Sequence, residues 1–159
     1  MTRRFDFQQQ SPELFKKFLA FAVALPQGAV ETGLRDLVQI RASQLNGCAF
    51  CLDMHVKEAT IHGERALRLH HVAIWRESTL FSPRERAALA WTEALTRLSE
   101  HGVPDEVFAE ARAELSEKEL SDLSYVIVAI NGWNRLSIAT RNVPGSADEA
   151  YGLTKAGLA

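Results

Sequence analysis

Helix start and stop signals punctuate this chain, and nowhere does it show the sustained apolar–polar alternation a strand needs. Ser82-Pro83-Arg84-Glu85 is a capping box with proline at the first helical position, and Ser116 with Glu119 is another. Ser11-Pro12 opens a candidate helix to about Leu25, which Pro26-Gln27-Gly28 breaks. Leu34, Leu37, Val38, Ile40 and Leu45 fall at mostly helical intervals in a segment from about Thr32, and Asn46-Gly47 suits a left-handed cap. Further helices are predicted over Cys48–Gly63, Glu64–Arg76, Pro83–Glu100, from Pro104, and from Ser116 to about Arg141, where Val143-Pro144-Gly145 ends the pattern. The tail beyond is small and polar, predicted to be partly ordered or docked on a neighbour. The expected architecture is an all-α single-domain helical bundle of six or seven helices over residues 1–159.

Composition narrows the function classes. The chain has 159 residues, 47% hydrophobic and 24% charged, with a formal net charge of −2, which fits one globular core and gives no electrostatic reason for a nucleic-acid partner. No apolar run approaches the roughly 18 residues of a membrane span; Phe15–Leu25, the longest, carries Lys16 and Lys17. MTRRFDFQQQ has two arginines but no long apolar stretch, so no secretory signal and a cytoplasmic location are expected. The two cysteines stand three positions apart, which in a reducing compartment points to catalysis, redox sensing or metal binding rather than a disulfide scaffold.

Cys48, Cys51 and His55 are spaced to share one helical face. Gly47 puts Cys48 at a helix start, where free N–H groups and the positive end of the dipole favour a thiolate. His55 can move a proton near neutral pH. The dipole favours Cys48 as nucleophile. Cys51, however, is one turn from His55 and Cys48 about 10 Å by helical rise, so Cys51 is expected to attack and Cys48 to resolve. If the helices flanking Asn46-Gly47 form an antiparallel hairpin, residues 35–39 lie level with His55. Asp36 is the carboxylate there to orient His55 or accept its proton, and Glu58, one turn after His55, is the rival.

Other readings of these residues are a buried structural pair without chemistry, or zinc, with a fourth ligand from His62, His70, His71 or a carboxylate. The c-type haem motif fails because Leu52 follows Cys51, and a thioredoxin-like fold lacks its βαβ context. No metal is expected, and no cofactor either: no flavin or nicotinamide fingerprint such as G-x-G-x-x-G is present, so the electrons must come from a partner. His70-His71 diverge on a helix and read as a surface or interface pair. His62 beside Gly63 reads as a cation at a helix C-terminus. Trp75, Trp91 and Trp133 read as core or interface anchors, Arg135 as a bridge between helices or subunits, Leu123–Ile130 as core or subunit interface, and Phe50 and Met54 as core by default or as the lining of a substrate approach.

Ser43-Gln44-x-Asn46-Gly47-Cys48-x-x-Cys51-x-x-x-His55 resembles the core motif of the AhpD-like (alkylhydroperoxidase D) proteins of the carboxymuconolactone decarboxylase family. The likeness continues in Trp75-Arg76-Glu77-Ser78, in Phe81–Ala90 and in Asn131–Leu136, and covers roughly residues 34–142. It implies an all-helical bundle assembled as trimers or hexamers. It also implies thiol-dependent peroxidase activity on a hydroperoxide, with a thiol or dithiol protein as reductant. In that scheme the cysteine matching Cys51 attacks, that matching Cys48 resolves, and the histidine matching His55 shares a proton relay with a glutamate twelve residues before the first cysteine. Asp36 stands there, one methylene shorter, which predicts a bridging water or a weaker relay. The family's decarboxylase branch works without the cysteine pair. The competing function class is a non-enzymatic redox sensor or interaction oligomer switched by a Cys48–Cys51 disulfide.

Overall fold

The computed structural model describes residues 2–158. Among them the only regular secondary structure is helical, in nine α-helices, two more than the upper expectation of seven. The additions are short: α1 (Phe7–Gln10) and α9 (Asp148–Tyr151). The others are α2 (Pro12–Ala24), α3 (Thr32–Asn46), α4 (Ala49–Ile61), α5 (Ala66–His71), α6 (Pro83–Thr96), α7 (Asp105–Glu114) and α8 (Glu117–Thr140). The expected Glu64–Arg76 helix is shorter, because after His71 the chain tightens into a 3₁₀ turn over Val72–Ile74.

α3 is the central helix and packs on α4, α6 and α8. Its positions at helical spacing divide between two faces: Leu34 and Val38 meet α6, α7 and α8, while Leu37 and Ile40 meet α4, α5 and α6. Burial of such side chains contributes roughly 1.5–3 kcal/mol each. Both predicted capping boxes are present, Ser82 with Glu85 and Ser116 with Glu119. Arg84 ties the two helix starts together, reaching Glu119 at 2.8 Å and Glu31 ahead of α3 at 2.9 Å.

The N-terminal end of the chain packs on α8 and the C-terminal end on α4. Phe7, Phe15 and Phe18 gather around Trp133 of α8, with the Phe18 ring centroid 4.3 Å from that of the indole. Gly132 permits this approach, since a Cβ there would stand 2.6 Å from Phe18 Cζ. At the other end, Lys57 of α4 holds Asp53 at 2.9 Å and Asp148 of the tail at 2.7 Å. The tail thus docks on its own chain. No helix among the described residues is long and apolar enough to cross a membrane.

Candidate active site

The turn between α3 and α4 builds the site. Gly47 takes the left-handed conformation at φ 69°, and its N–H caps the last carbonyls of α3. The reversal places Cys48 at the N-cap of α4, where its Sγ accepts the Cys51 N–H at 3.3 Å. Both cysteines are buried and unbridged. Cys51 faces a cavity of about 370 Å³, and Cys48 lies behind it, outside the lining.

Their protonation is polarised in opposite directions. A hydrogen bond from the Cys48 side chain lowers the Cys51 thiol to about 6, burial opposes this, and hydrogen bonds from Asn134 and Ser137 and the charge of His55 lower it further. Cys48 moves up, because it donates to Cys51, is buried and sits beside the Cys51 charge. Cys48 stands at the helix start, yet its shift is upward and the favoured thiolate is that of Cys51.

His55, Glu58, His62 and Asp36 line the same cavity as Cys51. His55 Nδ1 lies 2.6 Å from Glu58 Oε2, so the partner of His55 is the one-turn rival rather than Asp36. Asp36 Oδ2 lies 2.7 Å from His62 Nδ1 instead. Counting residues from the hairpin turn gives height along the helix pair but not the angle around each helix, and the angle decides the pairing. Burial pushes Asp36 up, only partly offset by His62. Burial also pushes Glu58 up, but the hydrogen bond to His55 and the charges of His55 and His62 together hold it below the usual carboxylate value. Phe50 and Met54 line the cavity with Leu19 and Trp133, and Phe50 also packs against the buried cluster of Ala42, Cys48, Cys51 and Ile130.

A polar floor lies under the thiols. Asn134 is fully buried; its Oδ1 accepts from Asn46 Nδ2 at 2.8 Å, and its Nδ2 donates to Ser43 Oγ at 3.2 Å. The sequence signal was available: Asn134 and Ser137 continue the spacing of Ile127 and Ile130 on the buried face of α8. Arg135 bonds back to Asn131 of its own helix at 2.8 Å and bridges no helices. His71 Nδ1 lies 3.0 Å from Ser78 Oγ. Among the described residues no three His, Cys, Asp or Glu side chains are grouped to hold a metal ion.

The sequence profile of the Carboxymuconolactone decarboxylase family matches residues 10–94, just over half of the chain. An uncharacterised Bacillus subtilis protein, YdfG, is 37% identical over 142 residues, 89% of this chain and 97% of that one. The chain is an AhpD-like member of the carboxymuconolactone decarboxylase family. The profile starts ahead of residue 34, where the sequence likeness begins, and takes in all of α2. A solved structure from Agrobacterium tumefaciens, of unknown function and put forward as an antioxidant defence protein AhpD, superposes with a TM-score of 0.87 at 37% identity, over 90% of this chain and 98% of that one. The debrominase Bmp8 shares the fold, with a TM-score of 0.79 at 21% identity, over 94% of this chain and 80% of that one. A debrominase shares this fold, so the fold alone does not name the reaction, which must be argued from the site.

Proposed function

We propose that the protein is a thiol-dependent peroxidase that reduces hydroperoxides through Cys51 and Cys48. The reading rests on one observation above all: of the two thiols only Cys51 opens onto the cavity shared with His55 and Glu58, and it is the one whose thiolate is favoured. Thiolate, not thiol, is the nucleophile. The apolar wall of Phe50, Met54, Leu19 and Trp133 suits the carbon body of an organic hydroperoxide.

In this mechanism the Cys51 thiolate attacks the terminal oxygen of ROOH. The S–O bond forms, the O–O bond breaks, and the leaving alkoxide takes a proton from His55, giving Cys51 sulfenic acid and ROH. Cys48 then attacks the sulfenic sulfur. The S–S bond forms, the S–O bond breaks, and the Cys48 proton leaves with the hydroxyl as water. A dithiol reductant restores the pair by exchange. Glu58 holds His55 in place, and Asp36, paired with His62, lines the same cavity. A homo-oligomer working in the reducing cytoplasm fits the same reading.

The test is steady-state consumption of hydrogen peroxide, cumene hydroperoxide and tert-butyl hydroperoxide with excess dithiothreitol, on wild type and Cys51→Ser. Catalytic turnover that Cys51→Ser abolishes is expected. One equivalent consumed per chain and no more would instead make the pair a redox switch.

A further inference from the structure

The cavity that Cys51 opens onto runs lengthwise along α8. Asn134, which hydrogen-bonds to Cys51, and Val126, which lines the cavity, both stand on α8, about 12 Å apart by helical rise. Val126 packs in the same cluster as Val30 and Leu34, at the start of α3, and Arg35 lines the cavity at that end. The α3–α4 hairpin gives the same length. Arg35 lies far from the Gly47 turn and Cys51 one helical turn past it, so the two are separated by about 12 Å along the pair. The wall along this length is apolar, with Ala129 of α8 between the two ends and Leu19, Ala22 and Val23 supplied by α2.

Among the described lining residues Arg35 is the one lysine or arginine. It is half-buried, and its guanidinium is fixed by donating to Val30 O at 2.5 Å and to Thr32 Oγ1 at 3.0 Å. Both acceptors are neutral, so they aim the charge without cancelling it. The carboxylates nearby are engaged elsewhere: Glu31 with Arg84, Asp36 with His62 and Glu58 with His55. A partly desolvated cation without a counter-charge is unfavourable unless something supplies one. The planar fork keeps donors to spare, and that geometry matches a carboxylate at two points. A cavity of about 370 Å³ is at the small end of ligand sites and suits a single slender chain. Resting on the peroxidase reading above, we propose that Arg35 anchors the carboxylate of the substrate, which is an acyl-chain hydroperoxide with a free acid end. The acid sits at Arg35, the chain lies along the apolar wall, and a hydroperoxyl group near the middle of a long fatty acid reaches Cys51. Arg35 touches the substrate but no reacting atom, so it determines specificity rather than rate.

The test has two arms, each on wild type, Arg35→Gln and Arg35→Lys. Steady-state turnover compares 9-hydroperoxyoctadecadienoic acid with its methyl ester. Calorimetric binding compares oleate with methyl oleate, which carry no peroxide, each below its aggregation concentration. Wild type is expected to prefer each acid over its ester by about tenfold, in KM and in Kd, the scale of one charge-assisted pair. Arg35→Gln should erase that preference, with the loss in KM rather than kcat. Arg35→Lys should keep part of it, since the charge stays while the two-point fork is lost. Acid and ester weakened equally in Arg35→Gln overturns the anchor and makes Arg35 a brace for the turn at Val30 and Thr32. A wild type that takes acid and ester alike, in both arms, overturns it too. A wild type that is inert to every hydroperoxide but binds oleate through Arg35 upholds the acid site and overturns the peroxidase reading alone.

Discussion

Cys48 Sγ accepts the backbone N–H of Cys51 at 3.3 Å while the Cys48 thiol stabilises the Cys51 thiolate, so in the proposed mechanism the resolving sulfur also activates the attacking one. The two roles are coupled in one pair of atoms. Removing either cysteine alters the other, and single variants must be read with that in mind.

The first prediction concerns this coupling. Cys51 is lowered to about 6 in the fold. Its thiolate fraction, and with it the rate of iodoacetamide labelling, should rise through pH about 6 and level off within roughly two units above it, falling about tenfold per unit below. Cys48→Ser keeps a weaker hydroxyl donor in place and should move the midpoint upward. Thiolate absorbance at 240 nm in wild type and variant checks both statements. A midpoint near 9 in wild type would remove the activated thiol.

A second prediction follows from the 2.6 Å contact between His55 and Glu58. His55→Ala should lower kcat/KM for hydroperoxide by about 10²–10⁴. Glu58→Gln retains a hydrogen-bonding group but loses the charge, so a smaller loss of about tenfold is expected. Equal losses in the two variants would mean that Glu58 does more than hold the ring.

Asn134 carries the third. It is buried between Asn46 and Ser43 and also hydrogen-bonds to Cys51. Asn134→Ala takes the amide donor from buried Ser43 and one of two acceptors from half-buried Asn46, which keeps Asn131, so a loss of about 1–3 kcal/mol is expected. Urea denaturation should show that destabilisation, and the same variant should raise the Cys51 midpoint. A thiolate titration that stays put while stability falls would confine Asn134 to a structural role.

How much of this was legible depended on sequence distance. The turn at Asn46-Gly47, the shared face of Cys48, Cys51 and His55, and both capping boxes are local patterns, and local spacing fixes their geometry. The partner of His55 was legible only as a choice between Asp36 and Glu58. Within one helix the i,i+3 contact is assured by pitch, whereas a contact across a hairpin depends on the rotation of both helices. The Asp36–His62 pair spans that hairpin and was read from neither residue; His62 beside Gly63 reads equally well as an ordinary helix end. The floor under the thiols joins α3 to α8 across nearly ninety positions, and no local signal carries such a register. α1 and α9 are single turns that exist because they dock, Phe7 against Trp133 and Asp148 against Lys57, and helix propensity alone does not create turns so short.

The last prediction concerns the cavity wall. Phe18 rests on Trp133 because Gly132 has no side chain, and a Cβ there would meet the ring at 2.6 Å. In Gly132→Ala the phenyl ring must leave. α2, which has no fully buried residue of its own, holds on largely through Phe15 and Phe18. The methyl should cost about 1–3 kcal/mol of overpacking at this contact, while better helix propensity returns at most about 1 kcal/mol. The net effect should therefore appear as a loosened α2 rather than global unfolding. Amide exchange should quicken over residues 12–24 and stay slow in α3 and α6, and Trp133 fluorescence should shift toward that of a wetter indole. Because Leu19, Ala22 and Val23 of α2 line the cavity, KM for a bulky organic hydroperoxide should rise while reaction with hydrogen peroxide changes little. Equal loss for both peroxides would show that α2 supports the thiols rather than the body of the substrate.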